Sequence, residues 1–189
     1  MLIETERLRI RELCAGDAPA FAQMAADGSL TDIGFGKDCG GWMEKWVTQA
    51  QTLTKRDNPA ADYLAYAVML KDTQTVIGSV GCSYYEDLQK TGITYFIGEA
   101  YRNRGYAAEA AVAYAGFFLA HYSLSGLIAT VREENKASWR VVEKAGFLLT
   151  EKRLYRDLND EKPVFYRFYE RTAGNGAARP KALFRAEGL

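Results

Sequence analysis

The stretch EAYRNRGYAAEA, residues 99–110, joins an aromatic, β-favouring segment to a long alanine-rich segment. Gly105 stands at the junction, and a glycine lets the backbone approach a ligand closely because it has no side chain. The helix predicted after it presents unpaired N–H groups and a partial positive charge at its first turn. With Arg102 and Arg104 as local cations, the stretch predicts an anion site whose natural ligand is phosphate or pyrophosphate.

This turn differs from the common nucleotide-binding motifs. It matches neither the Rossmann pattern Gly-x-Gly-x-x-Gly nor the P-loop pattern that ends in Gly-Lys-Ser/Thr, and a nucleotide hydrolase is therefore disfavoured. Taken alone, one glycine between a strand and a helix is equally consistent with a plain structural turn.

Strand and helix patterns alternate on both sides of the turn. Strands are predicted at residues 8–13, 63–70, 76–85, 91–97, 127–131, 147–155 and 164–171. Helices are predicted at about residues 17–25, 42–55, 106–122 and 135–146, with Asp17 capping the first and Gly146 ending the last. These elements predict one α+β domain over residues 1–171 with a mixed sheet, followed by a flexible tail at residues 172–189.

The composition excludes several classes of function. Twenty-four basic residues balance twenty-four acidic ones, so the chain as a whole offers no positive field for nucleic acid or an anionic membrane. The three cysteines, Cys14, Cys39 and Cys82, are widely spaced and accompany a single histidine, His121, which predicts no metal site and suits a reducing compartment. We therefore expect a cytoplasmic protein that binds neither nucleic acid nor membrane.

A second segment, NKASWRVVEKAGF at residues 135–147, strengthens the interpretation of the turn. Together the two segments resemble the GNAT (GCN5-related N-acetyltransferase) family, whose acyl-CoA pyrophosphate loop has the pattern Arg/Gln-x-x-Gly-x-Gly/Ala. The segment ETERLRIREL at residues 4–13 and the pair Asn135 and Ser138 are most similar to its RimJ/RimL-like branch of ribosomal-protein N-terminal acetyltransferases. The resemblance extends from Thr5 to Tyr169 in element order and implies a mostly antiparallel sheet of about seven strands flanked by about four helices.

The resemblance implies acetyl-CoA as cosubstrate, without a metal, and assigns its contacts. The main chain of Phe96, Ile97 and Gly98 would pair with the pantetheine arm. Around the phosphates, the implied contacts are Arg102, Arg104, Gly105, Tyr106 and Ala107. Asn135 would contact the cofactor beyond the next strand, although its position also suits a helix N-cap.

The resemblance also implies direct attack of an amine on the thioester. Many members place a tyrosine seven residues after the asparagine as the acid toward the thiolate, but this position is Val142 here. Ser138 is the predicted substitute, with helix packing as the alternative role. The predicted bases are Glu86 and Asp157, while Glu99 or a bound water also remains open. Glu109 is expected to pair locally within its helix.

The predicted function is an acetyl-CoA-dependent N-acetyltransferase that modifies a primary amine in a ternary complex. The acceptor is either a protein N-terminal α-amine or a small molecule, and the enzyme is a monomer or a homodimer. A non-catalytic acyl-CoA-binding or sensing module is the alternative, because the family's tyrosine is missing at Val142.

Overall fold

The computed structural model describes residues 1–158 and 160–173, together with the backbone of residues 183–185. Its α-helices are α1 (Ala18–Ala25), α2 (Met43–Arg56), α3 (Tyr106–His121) and α4 (Lys136–Lys144). Its strands are β1 (Leu2–Glu4), β2 (Leu8–Glu12), β3 (Leu64–Leu70), β4 (Val76–Tyr85), β5 (Lys90–Ile97), β6 (Leu127–Arg132), β7 (Leu148–Tyr155), β8 (Val164–Arg171) and β9 (Leu183–Arg185).

All of these strands belong to one sheet, in the order β7-β8-β6-β5-β4-β3-β2-β1-β9. Every neighbouring pair is antiparallel except β5 and β6, which are parallel. The predicted α+β class and the mostly antiparallel sheet are confirmed. The strand number is nine among the described residues rather than about seven, because β1 and β9 have three residues each and are too short to show a periodic pattern.

The predicted flexible tail, residues 172–189, falls largely outside the described residues. The backbone of β9 pairs antiparallel with β1, from Leu2 opposite Arg185 to Glu4 opposite Leu183. The flexibility of the tail stays a prediction.

Helices cover both faces of the sheet. Strand β3 is buried on both faces, which explains why its sequence is apolar throughout. Leu64, Tyr66 and Val68 belong to the core under α3 and α4, whereas Ala65 and Ala67 belong to the core under α1 and α2. All seven residues of β3 are buried. Because successive side chains of a strand point to opposite faces, burial on both faces removes the usual alternation of apolar and polar residues.

The start of α1 differs from the prediction that Asp17 caps it through its side chain. The Asp17 carboxylate instead accepts two hydrogen bonds from the Arg11 guanidinium, both at 2.7 Å, and one from the Cys14 N–H at 2.8 Å. Asp17 is buried, and these bonds compensate for the burial of its charge. The acidic residue therefore links β2 to the turn before α1.

The sheet opens between β5 and β6. The two strands are paired in register at Gly92 and Ile128, and the described structure contains no further paired residues between them. Beyond this pair the two strands line opposite sides of a cleft, with Ile93–Phe96 on one side and Ala129–Arg132 on the other. This opening positions the site described below.

None of the helices in the described ranges is long and apolar enough to cross a membrane. The cytoplasmic location stays a prediction.

Candidate active site

The cleft between β5 and β6 has a volume of about 1270 Å³. It is lined by five of the predicted site residues: Glu86, Phe96, Asn135, Ser138 and Asp157. The remaining ones, from Ile97 to Ala107, form the end of β5 and the turn into α3. The structure therefore divides the predicted site into a cleft and an adjoining turn.

The turn has the backbone expected of an anion site. Gly105 has φ 82° and ψ 1°, a left-handed conformation that favours glycine, and it is the N-cap residue of α3. No side chain caps this helix at Gly105, so its first N–H groups have no acceptor from the cap residue. Gly105 is exposed, as are Arg102 and Arg104. A pyrophosphate fits this arrangement because it supplies acceptors for these N–H groups and places negative charge at the positive end of the helix.

A clamp formed by Thr5, Arg7 and Glu109 holds the turn from the outside. The Glu109 carboxylate accepts hydrogen bonds from Thr5 Oγ1 at 2.6 Å, Arg7 N at 3.0 Å and Arg7 Nε at 2.7 Å. Arg7 Nη1 also donates to the carbonyl oxygen of Arg104 at 2.9 Å. Burial raises the pKa of Glu109, but the bonds from Thr5 and Arg7 outweigh that effect, so its pKa lies below the usual value.

The expectation that Glu109 pairs locally within α3 is wrong. Its partners are 102 and 104 positions away in sequence, in the segment between β1 and β2. Spacing along the helix carries no information about them, because i,i+4 patterns describe only neighbours on the same helix.

The guanidinium of Arg102 is already engaged by the protein. Its Nε donates to the Ile97 carbonyl oxygen at 2.9 Å, and its Nη2 lies 3.2 Å from both the carbonyl oxygen and the hydroxyl of Ser29. Arg102 thus ties the end of β5 to the loop after α1. The predicted contact of Arg102 with phosphate stays a prediction. It requires the side chain to contact phosphate while it also makes these hydrogen bonds.

Some main-chain groups at the end of β5 also make hydrogen bonds within the protein already. The Ile97 carbonyl accepts from Arg102, and the Gly98 N–H donates to the Ile77 carbonyl at 2.9 Å. Phe96 lies in the stretch of β5 that lines the cleft. A contact between this strand end and the pantetheine arm, which stays a prediction, must use the other main-chain groups of these residues.

Asn135 and Ser138 lie at the start of α4, on the β6 side of the cleft. The Asn135 side chain accepts a hydrogen bond from the Ser138 N–H at 3.0 Å and so caps the helix. Across the cleft, the Tyr95 hydroxyl lies 2.7 Å from the Ser138 hydroxyl and 2.9 Å from the Ser138 carbonyl oxygen. The N-cap role of Asn135 is thereby observed, and its cofactor contact stays a prediction.

Sequence reasoning did not find Tyr95. Its position on β5 was predicted, but the face to which its side chain points depends on the opening between β5 and β6. Val142, where many family members have tyrosine, is fully buried against the core under α3. The tyrosine hydroxyl that reaches Ser138 at the start of α4 comes from β5.

The two predicted bases have different surroundings. Glu86 is exposed at the end of β4, whereas Asp157 is half-buried in the loop after β7 and accepts a hydrogen bond from Leu158 N at 2.7 Å. Burial raises the pKa of the Asp157 carboxyl, and the nearby Asp160 and Asp87 carboxylates raise it further. Glu99 lies in the turn after β5, apart from the residues that line the described cleft.

Asp160 anchors the loop that carries Asp157. Its buried carboxylate accepts hydrogen bonds from the Tyr166 hydroxyl at 2.8 Å, the Asp157 N–H at 3.0 Å and the Arg132 guanidinium. Burial raises the pKa of Asp160, but these bonds outweigh it and hold the pKa below the usual value. An ionised Asp160 carboxylate therefore lies beside Asp157 at neutral pH.

The mouth of the cleft is acidic and aromatic. Five carboxylate residues line the described part of it: Asp32, Glu86, Asp87, Glu134 and Asp157. The lining also contains two arginines: Arg132 donates to the Asp160 carboxylate, and Arg156 donates to the Asp160 carbonyl oxygen. The aromatic residues of the lining include Phe35, Trp46, Tyr63, Tyr84, Tyr85 and Tyr155. Asp38 and Trp42, in the loop before α2, lie outside this lining, and Trp42 stacks on Phe35 with ring centroids 5.7 Å apart.

Comparison with known proteins assigns the fold and the turn to a family. Residues 7–148 match the family model described as an acetyltransferase (GNAT) domain. The chain belongs to the GNAT family. It is 30% identical over 146 residues to the uncharacterized N-acetyltransferase YnaD of Bacillus subtilis (strain 168), a match that covers 77% of this chain and 82% of that protein.

Solved structures share the GNAT fold with this chain. A GNAT acetyltransferase from Bacillus anthracis superposes with a TM-score of 0.74 at 24% identity, covering 91% of this chain and 98% of the other. The RimL ribosomal L7/L12 alpha-N-protein acetyltransferase, solved with coenzyme A, superposes with a TM-score of 0.73 at 16% identity, covering 91% and 98%. The closer similarity of this GNAT chain to the RimJ/RimL-like branch stays a prediction.

The protein is therefore an N-acetyltransferase that uses acetyl-CoA as the acetyl donor. Family membership favours this activity over the non-catalytic acyl-CoA-binding module. Among the described residues, no group of three His, Cys, Asp or Glu side chains is arranged to hold a metal ion.

Proposed function

We propose that this GNAT enzyme acetylates a cationic primary amine by direct attack in a ternary complex. The observation that carries the proposal is the mouth of the cleft, where five carboxylates outnumber two arginines, one of which is already paired with the buried Asp160 carboxylate. Such a lining attracts a protonated amine and repels an anionic acceptor. The aromatic side chains beside the carboxylates offer flat surfaces for the alkyl part of the acceptor and for its charge.

Different residues of the chain would bind the cofactor, stabilise the developing charge and assist the leaving group. The turn at Gly105 would bind the phosphates, and Asn135 would hold the start of α4 against the cofactor. Acetyl-CoA, when bound, supplies the activated acetyl group. The edge of β5 beyond Gly92, which β6 leaves unpaired, would offer main-chain N–H groups to the carbonyl oxygen as it gains charge. Ser138 would donate its hydroxyl hydrogen toward the departing sulfur.

Asp157 would take the proton from the bound amine. An alkylammonium group has a pKa of about 10, so most of the acceptor enters protonated at neutral pH. The raised pKa of Asp157 brings the carboxylate closer to the ideal for a general base near neutrality, while Glu86 mainly adds negative charge to the mouth.

We predict that Asp157→Asn changes the pH profile of kcat/KM. With Asp157 as base, kcat/KM rises as the carboxyl ionises, so it levels off above the raised Asp157 pKa. Without the base, only the free amine reacts, and kcat/KM rises about tenfold per pH unit up to the pKa of the acceptor. The loss should reach about 10²-fold at low pH and shrink as the pH rises.

Glu86→Gln is the matched control, because it removes a charge from the same mouth but leaves Asp157 in place. It should weaken the binding of a cationic acceptor and keep the shape of the wild-type profile. If Asp157→Asn levels off at the same pH as the wild type, Asp157 is not the base and a bound water is the better account.

An acetylation screen tests the function and chooses between the two kinds of acceptor. Free thiol release from acetyl-CoA is measured with small mono- and diamines, amino acids and peptides that have a free N-terminus. A RimL-like role predicts activity on peptide α-amines, in keeping with the ribosomal L7/L12 acetyltransferases among the structural neighbours. Thiol release with anionic amines but not with cationic ones contradicts the proposed acceptor class. Sedimentation of the same sample distinguishes the predicted monomer from the homodimer.

A further inference from the structure

We infer that Tyr95 is a positioning residue that acts through Ser138 by setting the direction in which the serine hydroxyl donates. Tyr95 lies on β5 and Ser138 on α4, on opposite sides of the cleft, and both line it. The inference rests on the proposed role of Ser138 toward the departing sulfur.

Two hydrogen-bond arrangements fit the observed distances. In the first, the Tyr95 hydroxyl donates to the Ser138 carbonyl oxygen at 2.9 Å and accepts from the Ser138 hydroxyl at 2.7 Å. The serine hydrogen then points at Tyr95 and is unavailable to a ligand. In the second, Tyr95 donates to the Ser138 hydroxyl oxygen, and the serine hydrogen is free to point into the cleft. A phenol has one hydrogen to donate, so the two arrangements exclude each other.

A negatively charged sulfur in the cleft selects the second arrangement. The serine hydroxyl then donates to the sulfur, and the Tyr95 hydroxyl replaces the hydrogen bond on the serine oxygen. Burial raises the pKa of Tyr95 to about 12, so the phenol keeps its proton and remains a donor throughout the working pH range. Tyr95 supplies no proton to the product; it polarises and orients the group that faces the sulfur.

The importance of this arrangement follows from the valine at position 142. Where many family members carry a tyrosine on this helix, the present chain has a valine that is fully buried in the core. A serine hydroxyl is a weaker acid than a phenol, and a second hydrogen bond onto its oxygen makes it a better donor. Tyr95 thus brings a phenol to the start of α4 from the facing strand.

The first test reads the bound thiol and needs no acceptor. Coenzyme A is bound to the protein and its thiol is titrated by the ultraviolet absorbance of the thiolate. A hydroxyl that donates to the thiolate lowers the thiol pKa. We expect Tyr95→Phe and Ser138→Ala each to raise the pKa of the bound thiol by about one pH unit relative to the wild type.

The second test is a double-mutant cycle on turnover. We expect Tyr95→Phe to lower kcat about tenfold with an unchanged KM for acetyl-CoA, because the missing bond acts on the departing sulfur. The double variant should lose no more than Ser138→Ala alone, since Tyr95 acts through the serine. Tyr114→Phe is the matched control: it removes a fully buried phenolic hydroxyl on α3 that does not line the described cleft.

Two results overturn the inference. One is a Tyr95→Phe variant whose bound-thiol pKa and kcat equal those of the wild type. The other is a double variant whose loss is the product of the two single losses, which assigns Tyr95 an effect independent of Ser138. The thiol titration responds to neither acceptor identity nor base, so it separates a failure of this inference from a failure of the proposed acceptor class.

Discussion

Gly105→Glu is expected to abolish measurable binding of acetyl-CoA while the protein stays folded. Gly105 has φ 82°, where a side chain adds strain, and the new carboxylate would lie at the uncapped start of α3. Two like charges about 4 Å apart near a protein surface repel by up to about 4 kcal/mol, so an affinity loss of at least about 10²-fold is expected even after screening by solvent. Isothermal titration calorimetry with acetyl-CoA measures it.

Gly105→Asn separates the effect of charge from that of strain. Asparagine tolerates the left-handed conformation better than other side chains and is uncharged. A Cβ at this position would lie 3.4 Å from Arg7 Nη2, so both variants disturb the clamp to a similar extent. The asparagine variant should keep much of the affinity that the glutamate variant loses. Equal affinity of a folded Gly105→Glu protein and the wild type would remove this turn from the cofactor site.

Ser138→Ala is expected to lower kcat by about 10²-fold, the lower range for a group that assists proton transfer. Its hydroxyl lines the cleft and lies within hydrogen-bond distance of Tyr95. The N–H that Asn135 accepts is retained by alanine, so the helix cap persists. Because the hydroxyl acts only on the departing sulfur, the affinity for acetyl-CoA should change little. Steady-state kinetics and calorimetry on the same protein measure both quantities.

Ser125→Ala serves as the control for this variant. Ser125 is exposed in the loop between α3 and β6, so its substitution should leave kcat, affinity and thermal stability at wild-type values. A loss of less than about threefold in Ser138→Ala would favour the packing role of the serine. A large loss of kcat accompanied by a lowered melting temperature would also favour the packing role.

Long elements with local signals were predictable from the sequence. The hairpin of β3 and β4, the helix after Gly105 and the helix that ends before Gly146 lie within a few residues of their predicted bounds. Each has a signal that acts over a few positions: a turn sequence, a glycine at a helix terminus or a run of one periodicity. Gly146 has φ 82°, in keeping with the left-handed end expected for α4.

Features that depend on contacts between different structural elements were not predictable. Asp17 has the sequence context of a helix cap, but Arg11 on the preceding strand binds its carboxylate. Trp42 and Trp46 are both on the apolar side of the predicted helix, and packing alone decides that Trp46 lines the cleft while Trp42 stacks outside it. In each case the deciding partner belongs to another element, and a single sequence does not reveal which side chains meet.

The residue types of the candidate site were easier to predict from the sequence than the contacts between its side chains. Gly105, Asn135 and Ser138 could be proposed as site residues because their motifs are local, whereas the position of the Tyr95 side chain depends on the separation of β5 from β6. The surroundings of Asp157 depend on Asp160, Asp87 and Arg132, which come from three different segments. A raised pKa of this kind arises from burial and neighbouring charges, so it follows only from the folded arrangement.

The clamp between Thr5, Arg7 and Glu109 makes cofactor binding depend on the docking of the first strands during folding. Its hydrogen bonds close loops of 102 and 104 residues, and such distant contacts form only after a large loss of chain entropy. A partly folded intermediate in which the first strands are undocked would have a complete α3 but an unsupported turn. Acetyl-CoA would bind the docked state preferentially and shift the population toward it, so the donor itself would stabilise the amino-terminal edge of the sheet.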